Sequence, residues 1–215
     1  MYLDNAATSW PKPESVYREM DAFLRNWGAN PGRAGHRMAV EAGRVIHDAR
    51  SRLAAFFNAE DVSRVIFTFS ATDGLNGALK GLLQPGDEVV TTSLEHNSVA
   101  RPLTGLARRG VAWRQIPCDS AGAPDLDALK GLVTRKTKIV AVTHASNVLG
   151  TLQPLAEVAH IAREAGCFFV VDAAQTAGSV PIDARSLGID VQVTLWTSGN
   201  GRARSQRAGV SPRLA

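Results

Sequence analysis

The sequence predicts an α/β protein built on a mostly parallel sheet with helices on both faces. The first observation is rhythm. From residue 64 onward, short runs of β-branched and aromatic residues alternate with stretches of helical periodicity, the pattern of consecutive βαβ units. The second is that a run such as Phe168-Phe169-Val170-Val171 is continuously apolar rather than alternating, as expected of a strand covered on both sides. The third is composition: 215 residues, 45% apolar and 20% charged, fit an ordinary globular chain. In sheets of this kind ligands bind beyond the carboxyl ends of the strands, so the strand exits are where chemistry is expected.

The elements follow in order. Glu14–Trp27 carries Val16, Met20, Phe23 and Leu24 at helical spacing. Arg37–Phe57 does the same with Val45, Ile46, Leu53, Ala54 and Phe57. Between them, Gly28–His36 is too rich in Gly, Asn and Pro to be anything but a loop. Strands are predicted over Val65–Phe69, Glu88–Thr92, Ala112–Ile116, Lys138–Thr143, Phe168–Asp172 and Ile189–Leu195. The helices between them are predicted over Gly74–Leu83, Val99–Arg108, Leu126–Leu132 and Pro154–Ala165.

Charge excludes one class of partner. The chain has 24 basic and 20 acidic residues, net +4, which invites a nucleic-acid reading. The whole excess, however, is Arg202, Arg204, Arg207 and Arg213, and no Asp or Glu follows Asp190. No nucleic-acid partner is therefore expected. No run reaches the about 18–20 apolar residues of a membrane span, so no membrane partner is expected either. The first residues lack a basic region followed by an apolar run, and two cysteines cannot make a disulfide scaffold, so a cytoplasmic protein is expected. The five histidines show no paired ligand spacing, and no metal is expected.

Four strand exits carry candidate chemistry. The first, Ser70-Ala71-Thr72-Asp73-Gly74, has the spacing of a helix capping box, and its small residues also leave helix N–H groups open to an anion such as phosphate. The second, Glu95-His96-Asn97-Ser98, offers an imidazole able to stack on an aromatic ring and exchange protons near neutral pH. The fourth holds Asn147, whose amide can serve the turn backbone or donate to a ligand oxygen. The fifth is the most informative, because Asp172 closes an apolar run at the rim of a desolvating core. Such a carboxylate is unfavourable unless it caps a helix or meets a cation, a metal or a protonated nitrogen. Ala173 and Ala174 leave room for a ring there, and a protonated pyridine nitrogen suits the site.

Taken in order, six segments resemble the class V aminotransferase family of pyridoxal-phosphate enzymes, most closely its cysteine desulfurase branch. They are Leu3–Thr8, Asn30–His36, Phe67–Thr72, Glu95–Ser98, Ser146–Gly150 and Val170–Gln175. The resemblance covers residues 2–190. It implies fold type I, with a large domain around a mostly parallel seven-stranded sheet, a smaller C-terminal domain, and an active site at a homodimer interface. It also implies pyridoxal 5'-phosphate as cofactor and a cysteine-like amino acid as substrate, sulfur being removed from L-cysteine to leave alanine. On this resemblance Ala71 and Thr72 hold the cofactor phosphate, and His96 stacks on the ring and assists proton transfer as the catalytic residue. Asn147 and Gln175 approach the phenolic oxygen, Asp172 pairs with the ring nitrogen, and the Asn30–His36 loop lies near the substrate entrance.

The resemblance breaks after about residue 191. The family continues into a Gly-His-Lys segment whose lysine forms a Schiff base with the cofactor; by spacing that lysine falls near Ser198 or Gly201, and the last lysine of this chain is Lys138. Arginine cannot replace it, because its guanidinium stays protonated. The sequence therefore divides into a partial cofactor-binding large domain, 1–190, and an aberrant Arg/Gly/Ala-rich tail, 191–215, expected to result from a reading-frame shift or a truncation. The remaining sheet strands, the small domain and the loop bearing the desulfurase cysteine are expected to lie beyond Ala215, leaving an apolar sheet edge unpaired. Neither Cys118 nor Cys167 is expected to be the sulfur acceptor. The chain as written is expected to be inactive, a non-catalytic cofactor-binding or regulatory module or a pseudogene product.

Overall fold

A computed structural model describes residues 2–3, 8–32 and 35–195, together with the backbone of 207–210. The segments Asp4–Ala7 and Arg33–Ala34, which belong to two of the six resembling motifs, and the stretch containing Ser198 and Gly201 lie outside the described residues. A seven-stranded sheet is the centre of the molecule. Its strands are β1 (Val65–Phe67), β2 (Glu88–Thr92), β3 (Ala112–Ile116), β4 (Thr137–Thr143), β5 (Phe168–Asp172), β6 (Val191–Thr194) and β7 (Arg207–Val210), in the spatial order β1-β7-β6-β5-β4-β2-β3. The pairs β2–β3, β2–β4, β4–β5 and β5–β6 are parallel, whereas β7 runs antiparallel to both β1 and β6. The mostly parallel, helix-covered sheet predicted from rhythm is the sheet observed.

Among the described residues the α-helices are α1 (Glu14–Trp27), α2 (Arg37–Phe56), α3 (Ala71–Leu82), α4 (Asn97–Ala107), α5 (Leu126–Leu132) and α6 (Leu155–Glu164). The sheet divides the apolar side chains between two cores because successive strand residues point to opposite faces. Val90, Val140, Val142, Phe169 and Val171 pack with Leu53, Leu129, Val158 and Ile161 on the face covered by α2, α5 and α6. Val89, Ile139, Ala141, Val170, Val191 and Val193 pack with Leu75, Leu79, Val99 and Leu103 on the face covered by α3 and α4. α1 stands apart: it buries no residue, and Tyr17, Met20 and Leu24 on its apolar side are exposed.

The element boundaries shift for local reasons. α3 begins at Ala71 rather than Gly74 because the Ser70 hydroxyl caps it, a contribution that the weak helix propensities of Thr, Asp and Gly conceal in the sequence. β1 stops at Phe67 instead of Phe69, since the chain turns out of the ladder toward that cap and leaves Phe69 97% exposed. The expected unpaired edge is corrected by the structure. Val191–Thr194 is a wholly buried strand, and Arg207–Val210 occupies the place between β6 and β1, with Val193 opposite Ala208 and Ile66 opposite Ala208 on the other side. The tail set apart at residue 191 thus contributes two strands to the sheet.

Two substitutions test this arrangement. Phe169→Ala, in the middle of β5, is expected to lower unfolding free energy by about 3–5 kcal/mol in a urea titration. Ala208→Pro is expected to lower the urea midpoint and raise light scattering, because a strand flanked on both sides has no N–H to spare for proline. An unchanged midpoint for Ala208→Pro would show that β7 does not contribute.

Candidate functional site

All parallel strands end at the same edge, and the predicted residues collect there. At the exit of β1, Ser70 Oγ accepts from the Asp73 N–H at 3.0 Å, while the Phe69 N–H donates to Asp73 Oδ2 at 3.3 Å. The Ser70 half of the capping box read from the sequence is therefore formed, while the Asp73 carboxylate takes the N–H just before the cap in place of that of Ser70. The Ser70 cap uses only the third N–H of α3; those of Ala71 and Thr72, the first two, have no carbonyl within the helix to bond. Capping and anion binding are compatible at this terminus, and the positive end of the helix dipole favours the second.

At the exit of β2, His96 is the N-cap of α4. Its Nδ1 accepts from the Ser98 N–H at 3.2 Å and lies 2.7 Å from Ser98 Oγ. An Nδ1 that accepts a backbone N–H leaves the proton of a neutral imidazole on Nε2. The ring is exposed, whereas Ser98 beneath it is buried. Thr72 and His96 share a groove of about 540 Å³ between α3 and α4, whose lining also includes Asn76, Lys80 and Arg101.

Asp172 closes β5, 5% exposed, directly opposite Thr143 at the end of β4. Its Oδ1 accepts from the Ala174 N–H at 3.0 Å. Burial raises its carboxyl above the usual range; the Ala174 N–H and the nearby His96 oppose that shift. His96 thus lies close enough to favour charge on Asp172, although the two are 76 residues apart in sequence. Ala173 is fully buried, and Ala174 and Gln175 are half-buried in the turn that follows.

Asn147 sits one strand away, exposed on the turn after β4. That turn is held by Ser146, whose Oγ accepts from the N–H groups of Val148 at 3.3 Å and Leu149 at 3.2 Å. Gly150 ends it with φ +74°, a conformation costly for a residue with a Cβ. The Asn147 side chain bonds none of the other predicted residues, whereas His96 shares a groove with Thr72 and acts on Asp172.

Two buried groups went unnoticed in the sequence. His144, at the β4 exit, places Nδ1 2.8 Å from Thr176 Oγ1, and burial lowers its basicity. Glu95 precedes His96; its Oε1 accepts from Thr92 Oγ1 at 2.7 Å and from the Thr143 N–H at 3.0 Å, and burial pushes its carboxyl up to about 8. An acid in an exposed-looking Leu-Glu-His-Asn run gives no sign of burial; only the convergence of β2 and β4 buries it.

Among the described residues, no group of three or more His, Cys, Asp or Glu could hold a metal ion, and no helix is long and apolar enough to cross a membrane. Cys167 is 1% exposed, donates to the Thr137 carbonyl at 3.3 Å, and has its thiol pushed up to about 11 by burial. Cys118 is half-buried.

The fold is that of an α/β enzyme family. The chain belongs to the class V aminotransferases: residues 1–195 match the family described as Aminotransferase class-V. Within that family its relatives are cysteine desulfurases. A protein named "Probable cysteine desulfurase" from Methanothermobacter thermautotrophicus is 36% identical over 191 residues, covering 88% of this chain and 47% of the relative. One of the same name from Pseudomonas aeruginosa is 37% identical over 193 residues, covering 88% and 48%. The apo structure of cysteine desulfurase from Thermococcus onnurineus NA1 superposes with a TM-score of 0.90 at 31% identity, covering 100% of this chain and 54% of that one. A structure of SspA in complex with cysteine gives 0.87 at 27% identity, covering 97% and 60%. The chain spans about half the length of the curated relatives it matches.

The family implies pyridoxal phosphate, and the residues present fit it. A desolvated carboxylate suits a protonated ring nitrogen, and the uncapped N–H groups of Ala71 and Thr72 suit a phosphate.

The contrast between the two thiols is directly measurable. A thiol reagent at about pH 8 is expected to label one cysteine, Cys118, in the native chain, and Cys167 only on unfolding, because the thiolate is the reactive form. Rapid native labelling of both would contradict the burial of Cys167.

Proposed function

We propose that this chain binds pyridoxal phosphate noncovalently as the cofactor-binding portion of a cysteine desulfurase-type enzyme, and does not turn over cysteine by itself. The observation that carries this reading is Asp172: a buried carboxylate, raised by desolvation, beside His96 at the edge where α3 presents its N-terminus.

Each residue has a role set by its chemistry. The N–H groups of Ala71 and Thr72 bind the phosphate through the helix terminus. Asp172 holds a proton at the ring nitrogen, where a cation relieves the desolvation of the carboxylate. His96 would stack on the ring and could move protons through Nε2, the nitrogen left free by the Ser98 N–H. Asn147 and Gln175 orient the phenolic oxygen. When bound, the cofactor supplies an electron sink for charge developed on an amino-acid substrate. Cysteine is the substrate class this reading favours, since the relatives are cysteine desulfurases and SspA has been solved with cysteine.

Two features hold the chain short of catalysis. No lysine follows Lys138, so the amine that would hold the cofactor covalently is absent from the sequence. Within residues 1–215 the two cysteines are Cys167, locked in the core, and Cys118, with no neighbouring base in sequence, and neither suits a sulfur acceptor. A homodimer in the cytoplasm, and a reading-frame shift beyond residue 195, where the family match stops, belong to the same reading. A non-catalytic module that pairs with an intact relative is one form the proposal can take.

The test is a titration of the purified chain with pyridoxal phosphate, followed by ultraviolet-visible absorption and fluorescence. Saturable binding is expected, and Asp172→Asn is expected to weaken it about 10–100-fold, the size of a charge-assisted hydrogen bond. Borohydride treatment and peptide mapping are expected to find no modified lysine; a stoichiometric adduct on Lys80, the amine in the groove with Thr72, would overturn the noncovalent reading. Release of alanine from cysteine by the chain alone, with the sulfur appearing as sulfide once an added dithiol reduces it, would overturn the claim of inactivity.

A further inference from the structure

Glu95 is the one acid of the site that the reading above leaves without a task. It bridges strand ends. Its Oε1 accepts from the hydroxyl of Thr92, the last residue of β2, and from the N–H of Thr143, the last residue of β4. Thr143 is the register partner of Asp172 on β5, so Glu95 and Asp172 hang from adjacent strand ends. The other oxygen, Oε2, is buried and has no hydrogen-bond partner among the described residues.

We propose that Glu95 is a positioning residue for Asp172: a carboxylic acid that carries its proton on Oε2, ties β2 to β4 through Oε1, and keeps the pair of acids at a single negative charge located on Asp172. Oε1 already receives two donors, which leaves Oε2 as the atom for the proton. An ionised Glu95 would place a bare, buried oxyanion beside a second carboxylate, and no Lys or Arg among the described residues pairs with it. Facing it are Thr92 from β2, Thr143 from β4 and Asp172 from β5, while His96 acts on Asp172 from the loop. Asp172 raises Glu95 further, and the Ala174 N–H with His96 favours charge on Asp172. One net charge is what a singly protonated ring nitrogen can neutralise, so this role rests on the reading of Asp172 as that nitrogen's partner.

The sign of the pH dependence follows from the raised carboxyl. The folded chain binds this proton more tightly than the unfolded chain. The associated stability is therefore complete below the ordinary carboxyl range and is lost as pH rises toward about 8.

The experiment uses the whole chain and two readouts. Infrared difference spectra across a titration from about pH 6 to about pH 9 read the carboxylic-acid carbonyl stretch. The band is expected at neutral pH, lost in Glu95→Gln and retained in Asp172→Asn, because burial rather than Asp172 is the largest cause of the raised acid. Pyridoxal phosphate titration is the second readout. Glu95→Gln, the isostere of the neutral acid, is expected to bind within about threefold of the parent and to lessen the loss of stability toward pH 8. Glu95→Ala strands the donors of Thr92 and Thr143 and is expected to bind about tenfold more weakly or worse. Absence of the band at neutral pH, its survival in Glu95→Gln, or equal weakening by Gln and Ala would each overturn the proposal. Should Asp172→Asn bind the cofactor as well as the parent, the ring-nitrogen reading fails on its own; the infrared band of Glu95 is measured without cofactor and is judged separately.

Discussion

A carboxylate at the end of a strand buried on both faces sets the terms for everything around it. β5 lies between β4 and β6, and its residues pack alternately into two apolar cores, so Asp172 sits where solvent cannot reach it well. Its charge is supported by one backbone N–H, from Ala174, and by the proximity of His96. A carboxylate so placed is a standing electrostatic deficit that a bound cation removes. The small residues after it, the open terminus of α3 and the imidazole that caps α4 lie at the same edge of the sheet.

The supports of the site are ordinary backbone chemistry put to a second use. Ser70 satisfies the third N–H of α3 and leaves the first two outward. His96 caps α4 and by that act fixes which of its nitrogens faces away from the helix. Ser146 holds the turn that displays Asn147. In each case the hydrogen bond that ends or starts an element also sets the orientation of a group at the strand edge. The precision of the site therefore depends on helix and strand termini, and through them on the two cores that fix where those termini lie.

The sheet also changes how the last part of the chain is understood. A tail with no acids and four arginines reads as foreign to the domain, yet Val191–Thr194 is a wholly buried strand, and Arg207–Val210 lies between β6 and β1. Filling a gap of this kind requires backbone N–H and C=O groups in an extended run, and almost any sequence without proline supplies them. Composition is a weak guide to such a strand. It is a sound guide to the missing lysine, because an amine nucleophile is a property of one side chain and no backbone geometry can replace it.

The sequence alone determined the alternation of strands and helices, the acid closing the fifth strand, the capping-box spacing after the first, and the family resemblance, since each is written in residues near one another along the chain. Helix starts at Ser70 and His96 were less legible, because Thr, Asp and Gly favour helix weakly and histidine is an unusual cap. Only the tertiary structure decided that His96 acts on Asp172, that Glu95 is buried between two strand ends, and that residues 207–210 complete the sheet. Those facts depend on which strands become neighbours and how much water their meeting excludes, and neither is a property of any local stretch of sequence.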